Sequence, residues 1–261
     1  MDNKFVFVAP VFNAGNTLEQ MIVSIVAQSY KNWKIVMIDD MSDDDHREKQ
    51  RYIVKRYKDL IHDGPGMNSK IVYTENSTKQ WEVSNVLYGI LQYSNSDDII
   101  CRIDGDDWLT DTDTLSIINN RYNEKKIDAL WTGHRWGFSD MNISNRMLDC
   151  QDPYDHPWVS SHLKTFKRRL LDNVPVENFQ GHDGEFIKRA GDQAVYLPAL
   201  HNAHGKWWFE PRCCYHYTIK MCAETFQTDD AKFQKAEAEF LRDRGYVSQG
   251  IPWTRCFEVK T

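Results

Sequence analysis

The sequence predicts an α/β chain whose mostly parallel, Rossmann-like sheet is flanked by helices. Three observations predict it. Short apolar runs of strand length alternate with stretches whose apolar residues recur every three or four positions. The joints between them are short, and a βαβα series with short joints calls for parallel pairing and right-handed crossovers. Several apolar runs also stop abruptly on polar or acidic residues.

Residues 4–9 read as a buried strand that breaks at Pro10-Val11-Phe12-Asn13-Ala14-Gly15-Asn16. A helix follows from about Thr17 to Ser29, with Leu18, Met21, Ile22, Ile25 and Val26 on its apolar face and Asn16 or Thr17 as its cap. Residues 33–38 form a second strand ending on Asp39-Asp40, and a Lys- and Arg-rich helix runs to about Tyr57. The pattern repeats with a strand at 70–74, a helix at 82–93, and a strand at 98–103 that stops on Asp104. A helix at about 112–125 and a strand at 128–133 complete the regular part. The alternation then loosens into a section punctuated by Trp131, Trp136, Pro153, Pro157 and Trp158, read as acceptor-side loops. Residues 223–245 give a charged helical pattern, expected on the outside of the domain.

Composition bounds the function. The 261 residues, 41% hydrophobic, suffice for one domain with a sizeable core. A net charge of −6 gives no bulk attraction for nucleic acid or an anionic membrane, so a polyanion would have to be met locally. No apolar run approaches the roughly 20 residues of a spanning helix, and a soluble protein is expected. The six cysteines (Cys101, Cys150, Cys213, Cys214, Cys222, Cys256) contain no C-x-x-C pair, which favours free thiols in a reducing cytoplasm.

Ligands of open parallel sheets bind beyond the carboxyl ends of the strands. Here those ends carry Pro10 and Asn13, then Asp39 and Asp40, then Asp104, Asp106 and Asp107. Carboxylates this dense repel one another unless a cation compensates them, so a hard divalent ion, Mn²⁺ or Mg²⁺, is the natural partner. A diphosphate would add negative charge that the same ion neutralises.

These residues also carry a family resemblance. Pro10-Val11-Phe12-Asn13, the stretch from Ser24 to Trp33, Ile38-Asp39-Asp40-Met41-Ser42-Asp43 and Asp104-Gly105-Asp106-Asp107 resemble, in order and spacing over residues 4–115, the signature blocks of the family 2 glycosyltransferases with the GT-A fold. The resemblance implies that Pro10, Phe12, Asn13, Asp39 and Asp40 bind the nucleoside, that Asp104 and Gly105 lie near the ribose or sugar, and that Asp106 holds the metal. Asn85 stands where the family often has an Arg-Asn pair, but the arginine is missing here. Asp192, in Gly191-Asp192-Gln193-Ala194, takes the place of the family's general base, with Asp183 and Glu185 in reserve. The segment Arg212 to Tyr217 resembles a late strand of the family, which makes His216 a candidate metal ligand. His201 and His204 are a further, weaker metal signal.

The strongest basic cluster lies at 161–169. Its Lys164, Lys167, Arg168 and Arg169 are either a phosphate- or acceptor-binding group or a solvated helix face. Trp108 adjoins the acidic motif and is the one tryptophan expected near the donor. The expected organisation is a GT-A domain over 1–222 (a nucleotide-sugar half to about 115, an acceptor half to 222) and a C-terminal helical extension over 223–261. The expected activity is inverting transfer from a nucleotide-diphosphate sugar, a uridine diphosphate sugar first, to a hydroxyl of a glycan or of a hydroxylated DNA base. Metal-dependent nucleotidyl transfer is an alternative, though Pro10 to Gly15 lacks the lysine of a phosphate loop. A catalytically silent nucleotide-sugar-binding module is another.

Overall fold

The computed structural model describes residues 2–66, 69–136, 139, 143–148, 152–218 and 228–257. Cys150, Cys222 and the expected boundary between 222 and 223 lie outside the described residues. Among the described residues, eight strands form one sheet: β1 (Phe5–Val11), β2 (Trp33–Asp39), β3 (Ile71–Glu75), β4 (Ile99–Arg102), β5 (Trp108–Leu109), β6 (Ala129–Trp136), β7 (Lys164–Lys167) and β8 (Trp207–Tyr217). Around them lie α1 (Leu18–Val26), α2 (Asp44–Leu60), α3 (Trp81–Tyr93), α4 (Thr114–Lys125), α5 (Gly191–Ala203) and α6 (Asp229–Arg244). The strand order is β3-β2-β1-β4-β7-β6-β8-β5.

Strands β1 to β4 pair with one another in parallel, as the short βα joints predict. Strand β1 alternates its side chains between two cores. Phe5, Phe7 and Ala9 meet Leu18, Met21 and Ile25 of α1 on one face, while Val6 and Val8 meet Val83, Val86 and Ile90 of α3 on the other. Helix α3 lies so close that a Cβ on Gly89 would stand 2.7 Å from Val8 and 2.9 Å from Ile38. The chain passes from edge strand β3 over α3 to β4 on the far side of β1, so the strand order reverses between β1 and β4. Register pairs Val11 with Asp39 and Val8 with Arg102, which brings the carboxyl ends of β1, β2 and β4 to one rim. A reversal of this kind leaves a crevice at that rim.

The second half is mixed. Strand β7 runs antiparallel to both β4 and β6, β8 runs parallel to β6, and β5 runs antiparallel to β8. Residues 164–167 are therefore neither a helix face nor solvated throughout: Lys164 is 1% exposed, in a strand between two others. The β5–β8 pairing, Trp108 opposite His216, draws the end of β8 alongside the acidic loop.

One further expectation is corrected. Neither Asn16 nor Thr17 caps α1 with its side chain; the Thr17 hydroxyl donates instead to the carbonyls of Ala14 and Gly105, tying the start of α1 to the acidic loop. Helix α6 lies mostly exposed, as expected of the charged pattern. Leu241 of α6 and Trp253 are buried, and the Trp253 indole N–H donates to the Leu171 carbonyl at 2.6 Å. Cys101, Cys213, Cys214 and Cys256 are in the thiol form. No helix among the described residues is long and apolar enough to cross a membrane.

Candidate active site

The loop after β4 is fixed from several sides. Asp107 is buried, accepts 2.7 Å hydrogen bonds from the Tyr215 hydroxyl and the Thr218 N–H, and serves as the loop's internal anchor. The Thr218 hydroxyl donates to the Asp106 carbonyl at 2.6 Å, so the end of β8 holds two successive residues of the motif. Asp104 receives Arg102 Nη1 at 2.8 Å. Burial, reinforced by Asp104 and Asp106, pushes the Asp107 carboxyl well above the ordinary carboxylate range. A cation at this loop would reverse that repulsion.

A cleft of about 510 Å³ opens at the crevice between β1 and β4. Pro10, Phe12 and Asn13 line it on the β1 side, and Asp104, Gly105 and Asp106 on the β4 side. Asp40 and Asn85 form part of its floor. Burial pushes the Asp40 carboxyl up, but the Gln80 N–H at 2.7 Å, the Asn76 amide at 2.9 Å and the Lys79 ammonium together hold it below its ordinary value. Asp39 behaves differently. It is fully buried behind the wall, accepting from the Ser42 N–H and hydroxyl and from Arg47 Nε at 3.2 Å, so it shapes the β2 turn.

Several residues of this cleft escaped sequence reasoning. Lys79 lies 3.3 Å from the centre of the exposed Phe12 ring, and the Arg189 guanidinium stacks over Trp81 at 5.1 Å. Lys188 completes a cationic edge. Lone basic residues ahead of a helix carry no periodic signal that separates them from ordinary surface; only the fold brings 79, 188 and 189 together.

A second cavity of about 370 Å³ adjoins the first and shares Glu82, Asp104 and Arg189 with it. Asp192 opens onto it from the first turn of α5. Its carboxylate is 3.6 Å from the buried Lys164 ammonium and accepts the Gln193 N–H at 2.8 Å. Burial pushes Lys164 below its ordinary value, against the pull of Asp192. His162 stacks on Tyr215 and Tyr217, each at 4.9 Å, and burial keeps its imidazole neutral. Burial also lifts the Glu82 carboxyl to about 7, although Arg102 pulls it the other way.

The remaining sequence candidates lie elsewhere. Asp183 and Glu185 sit in an exposed loop and line neither cavity; the Glu185 N–H donates to the Asp183 carboxylate at 3.0 Å. His216 stacks flat on Trp108 at 4.0 Å, and neither lines the two cavities. Lys167 and Arg169 pair with Asp128 at the opposite end of the sheet, and Arg168 pairs with Asp172. His201 pairs with Asp152 and stacks on Tyr246.

Metal-ligating atoms of Asp104, Asp107 and His162 lie within 4.8 Å of one another. This donor set fits a divalent cation: two carboxylates whose repulsion needs compensating, and an imidazole held neutral with a lone pair available. Asp106 lies on the neighbouring cleft wall, outside this trio.

A mixed α/β sheet with an acidic loop at its switch point defines a GT-A-like protein, and the comparisons agree. The family model described as glycosyl transferase family 2 matches residues 6–183, and the chain belongs to that family. Glycosyltransferase GlyA of Streptococcus pneumoniae serotype 4 is 24% identical over 217 residues, covering 76% of this chain and 28% of its own length. EpsE of Bacillus subtilis strain 168 is 32% identical over 97 residues, 37% of this chain and 31% of its own. The chain thus spans less than a third of either relative. Among solved structures, Staphylococcus aureus TarS 1–349 in complex with UDP-GlcNAc superposes with a TM-score of 0.57 at 15% identity, over 84% of this chain and 59% of its own. The mannosyltransferase PcManGT from Pyrobaculum calidifontis, in complex with GDP-Man and Mn²⁺, reaches 0.64 at 13% identity, over 98% and 68%. These likenesses establish the fold.

Proposed function

We propose that the chain transfers a sugar from a nucleotide-diphosphate donor, a uridine diphosphate sugar first, to an acceptor hydroxyl with inversion. The observation that carries this reading is the pair of adjoining cavities meeting at Asp104, one walled by the β1 and β4 ends and the other holding Asp192. A nucleotide in the first cavity would direct its sugar toward the second, where an acceptor oxygen meets Asp192. Asp192 takes the hydroxyl proton as that oxygen bonds to the anomeric carbon. The bond to the diphosphate breaks on the opposite face, and its electron pair leaves with the nucleotide. TarS in complex with UDP-GlcNAc supports the uridine donor.

Asp104, Asp107 and His162, with Asp106 beside them, would hold the Mn²⁺ or Mg²⁺. When bound, it supplies charge neutralisation for the departing diphosphate. Lys79, Lys188 and Arg189 supply further positive charge at the cleft edge, and Lys164 holds the Asp192 carboxylate by attraction. A glycan is the favoured acceptor over DNA, because Lys167, Arg168 and Arg169 are engaged in ion pairs away from Asp192. The test is hydrolysis of UDP-glucose, UDP-GlcNAc and GDP-mannose with Mn²⁺. Wild-type turnover of one donor, lost on EDTA treatment and in Asp192→Asn, is expected. Absence of both turnover and thermal shift with all three donors would sink the proposal.

A further inference from the structure

Helix α5 begins at Gly191, and its first internal hydrogen bond in the ladder runs from the Ala194 N–H to the Ala190 carbonyl. Ahead of that ladder, the N–H groups of residues 188–190 find their acceptors outside the helix. A single side chain supplies them. Glu237 of α6 accepts the Lys188 N–H on Oε1 at 3.0 Å, and on Oε2 the N–H groups of Arg189 at 2.7 Å and Ala190 at 3.2 Å. Its carboxylate also sits at the positive end of the α5 dipole.

On its other side, the same turn is pressed against the donor cleft. A Cβ on Gly191 would collide with the Glu82 carboxyl group, so the turn packs closely against that side chain. Asp192 follows one residue later, and its carboxylate is bound to the adjacent Gln193 N–H. Any shift of the turn is thus passed directly to Asp192. Arg189, from the same three-residue stretch, lines both cavities and reaches Asp230 of α6 at 2.9 Å.

We infer that Glu237 is a positioning residue for the reaction: by clamping residues 188–190 from α6 it fixes Asp192 at the acceptor cavity. The inference rests on Asp192 being the base. It makes α6 part of the catalytic architecture, although Glu237 itself lines neither cavity.

The experiment compares Glu237→Ala, Glu237→Gln, Asp192→Asn and Ala238→Gly in the full chain. The last weakens the same helix without touching the clamp. Backbone exchange at residues 188–190 is followed by hydrogen–deuterium exchange, and kcat by hydrolysis of UDP-glucose, UDP-GlcNAc and GDP-mannose with Mn²⁺, at a temperature where circular dichroism shows every variant folded. In Glu237→Ala, exchange at 188–190 is expected to rise about tenfold or more, and kcat to fall about 10- to 100-fold, the scale of a misplacement near 1 Å. Glu237→Gln keeps one acceptor oxygen and should fall between, and Ala238→Gly should stay within about twofold of wild type. Glu237→Ala with unchanged kcat beside an inactive Asp192→Asn overturns the clamp and leaves the base reading standing. Equal losses in Glu237→Ala and Ala238→Gly overturn it as well. An active Asp192→Asn, or a wild type that turns over none of the three donors, removes the base reading and the inference with it.

Discussion

Replacing Arg102 by methionine tests whether the two cavities share an electrostatic hinge. The guanidinium is 5% exposed and bridges Glu82 and Asp104, which are 22% and 28% exposed. Methionine keeps most of the stem's packing, so the loss is chiefly the charge. Removing one partner of a buried pair costs about 3–5 kcal/mol. Because water reaches both carboxylates, the lower end, about 3 kcal/mol, is expected, or about 6–12 °C in Tm for a chain of this size. The loss should also depend on pH. Burial already lifts Glu82 to about 7 against the pull of Arg102, and without Arg102 it rises further. A carboxyl raised in the folded state holds a proton that the unfolded chain gives up above about 4.5, so it costs stability progressively as pH rises. The deficit of Arg102→Met should therefore be larger at pH 8 than at pH 5 in urea melts. Combining it with Glu82→Gln should be at least about 1 kcal/mol milder than the sum of the single changes. A deficit under about 1 kcal/mol at pH 8, or one equal at both pH values, would refute the hinge.

Three other perturbations separate structural from catalytic roles. Gly191→Ala should drive Glu82 off Arg102, costing about 1–3 kcal/mol in urea melts and slowing donor hydrolysis; full stability would show that the turn yields. His134 is held to about 4 by burial and by Lys164, so it adds stability that is complete above about 6.5 and lost as pH falls toward 4. The stability difference between wild type and His134→Asn should shrink by about 2–3 kcal/mol from pH 7 to 4.5, and a constant difference would contradict the shift. Lys167→Ala with Arg169→Ala should cost up to about 1 kcal/mol per broken pair and leave donor hydrolysis within twofold; a tenfold loss would return these cations to the substrate.

The parallel half of the fold was legible because its signals are local. The run Phe5 to Ala9 is buried on both faces, and α1 presents Leu18, Met21, Ile22 and Ile25 at helical spacing. Residues 161–169 misled for a complementary reason. Four cations in nine residues look like a solvated helix, yet Lys164 is buried because β4 and β6 enclose its strand and Asp192, 28 places further along the chain and on another element, supplies its counter-charge. A sequence window cannot contain a partner that only the topology delivers.

The same limit explains the site. Asp104, Asp106 and Asp40 stand at strand ends, where parallel register alone brings them to one rim, so the motif sufficed to bring them together in one cleft. Asp39 shares that position, but its side chain turns inward to Ser42 and Arg47, a choice of face that a pair of adjacent aspartates leaves undetermined. Arg189, Glu237 and His162 belong to a different category. Each acts through a partner on a remote element: Trp81 at the start of α3, the backbone before α5, or the tyrosines of β8. The motif therefore marks where charge collects, while the second half of the chain decides how that charge is oriented. This is why variants at Glu237 and Arg102 are more discriminating than further changes to the aspartates themselves. Losing an aspartate is expected on any metal-site reading, whereas losing turnover through Glu237, which lines neither cavity, requires this particular arrangement of α5 and α6.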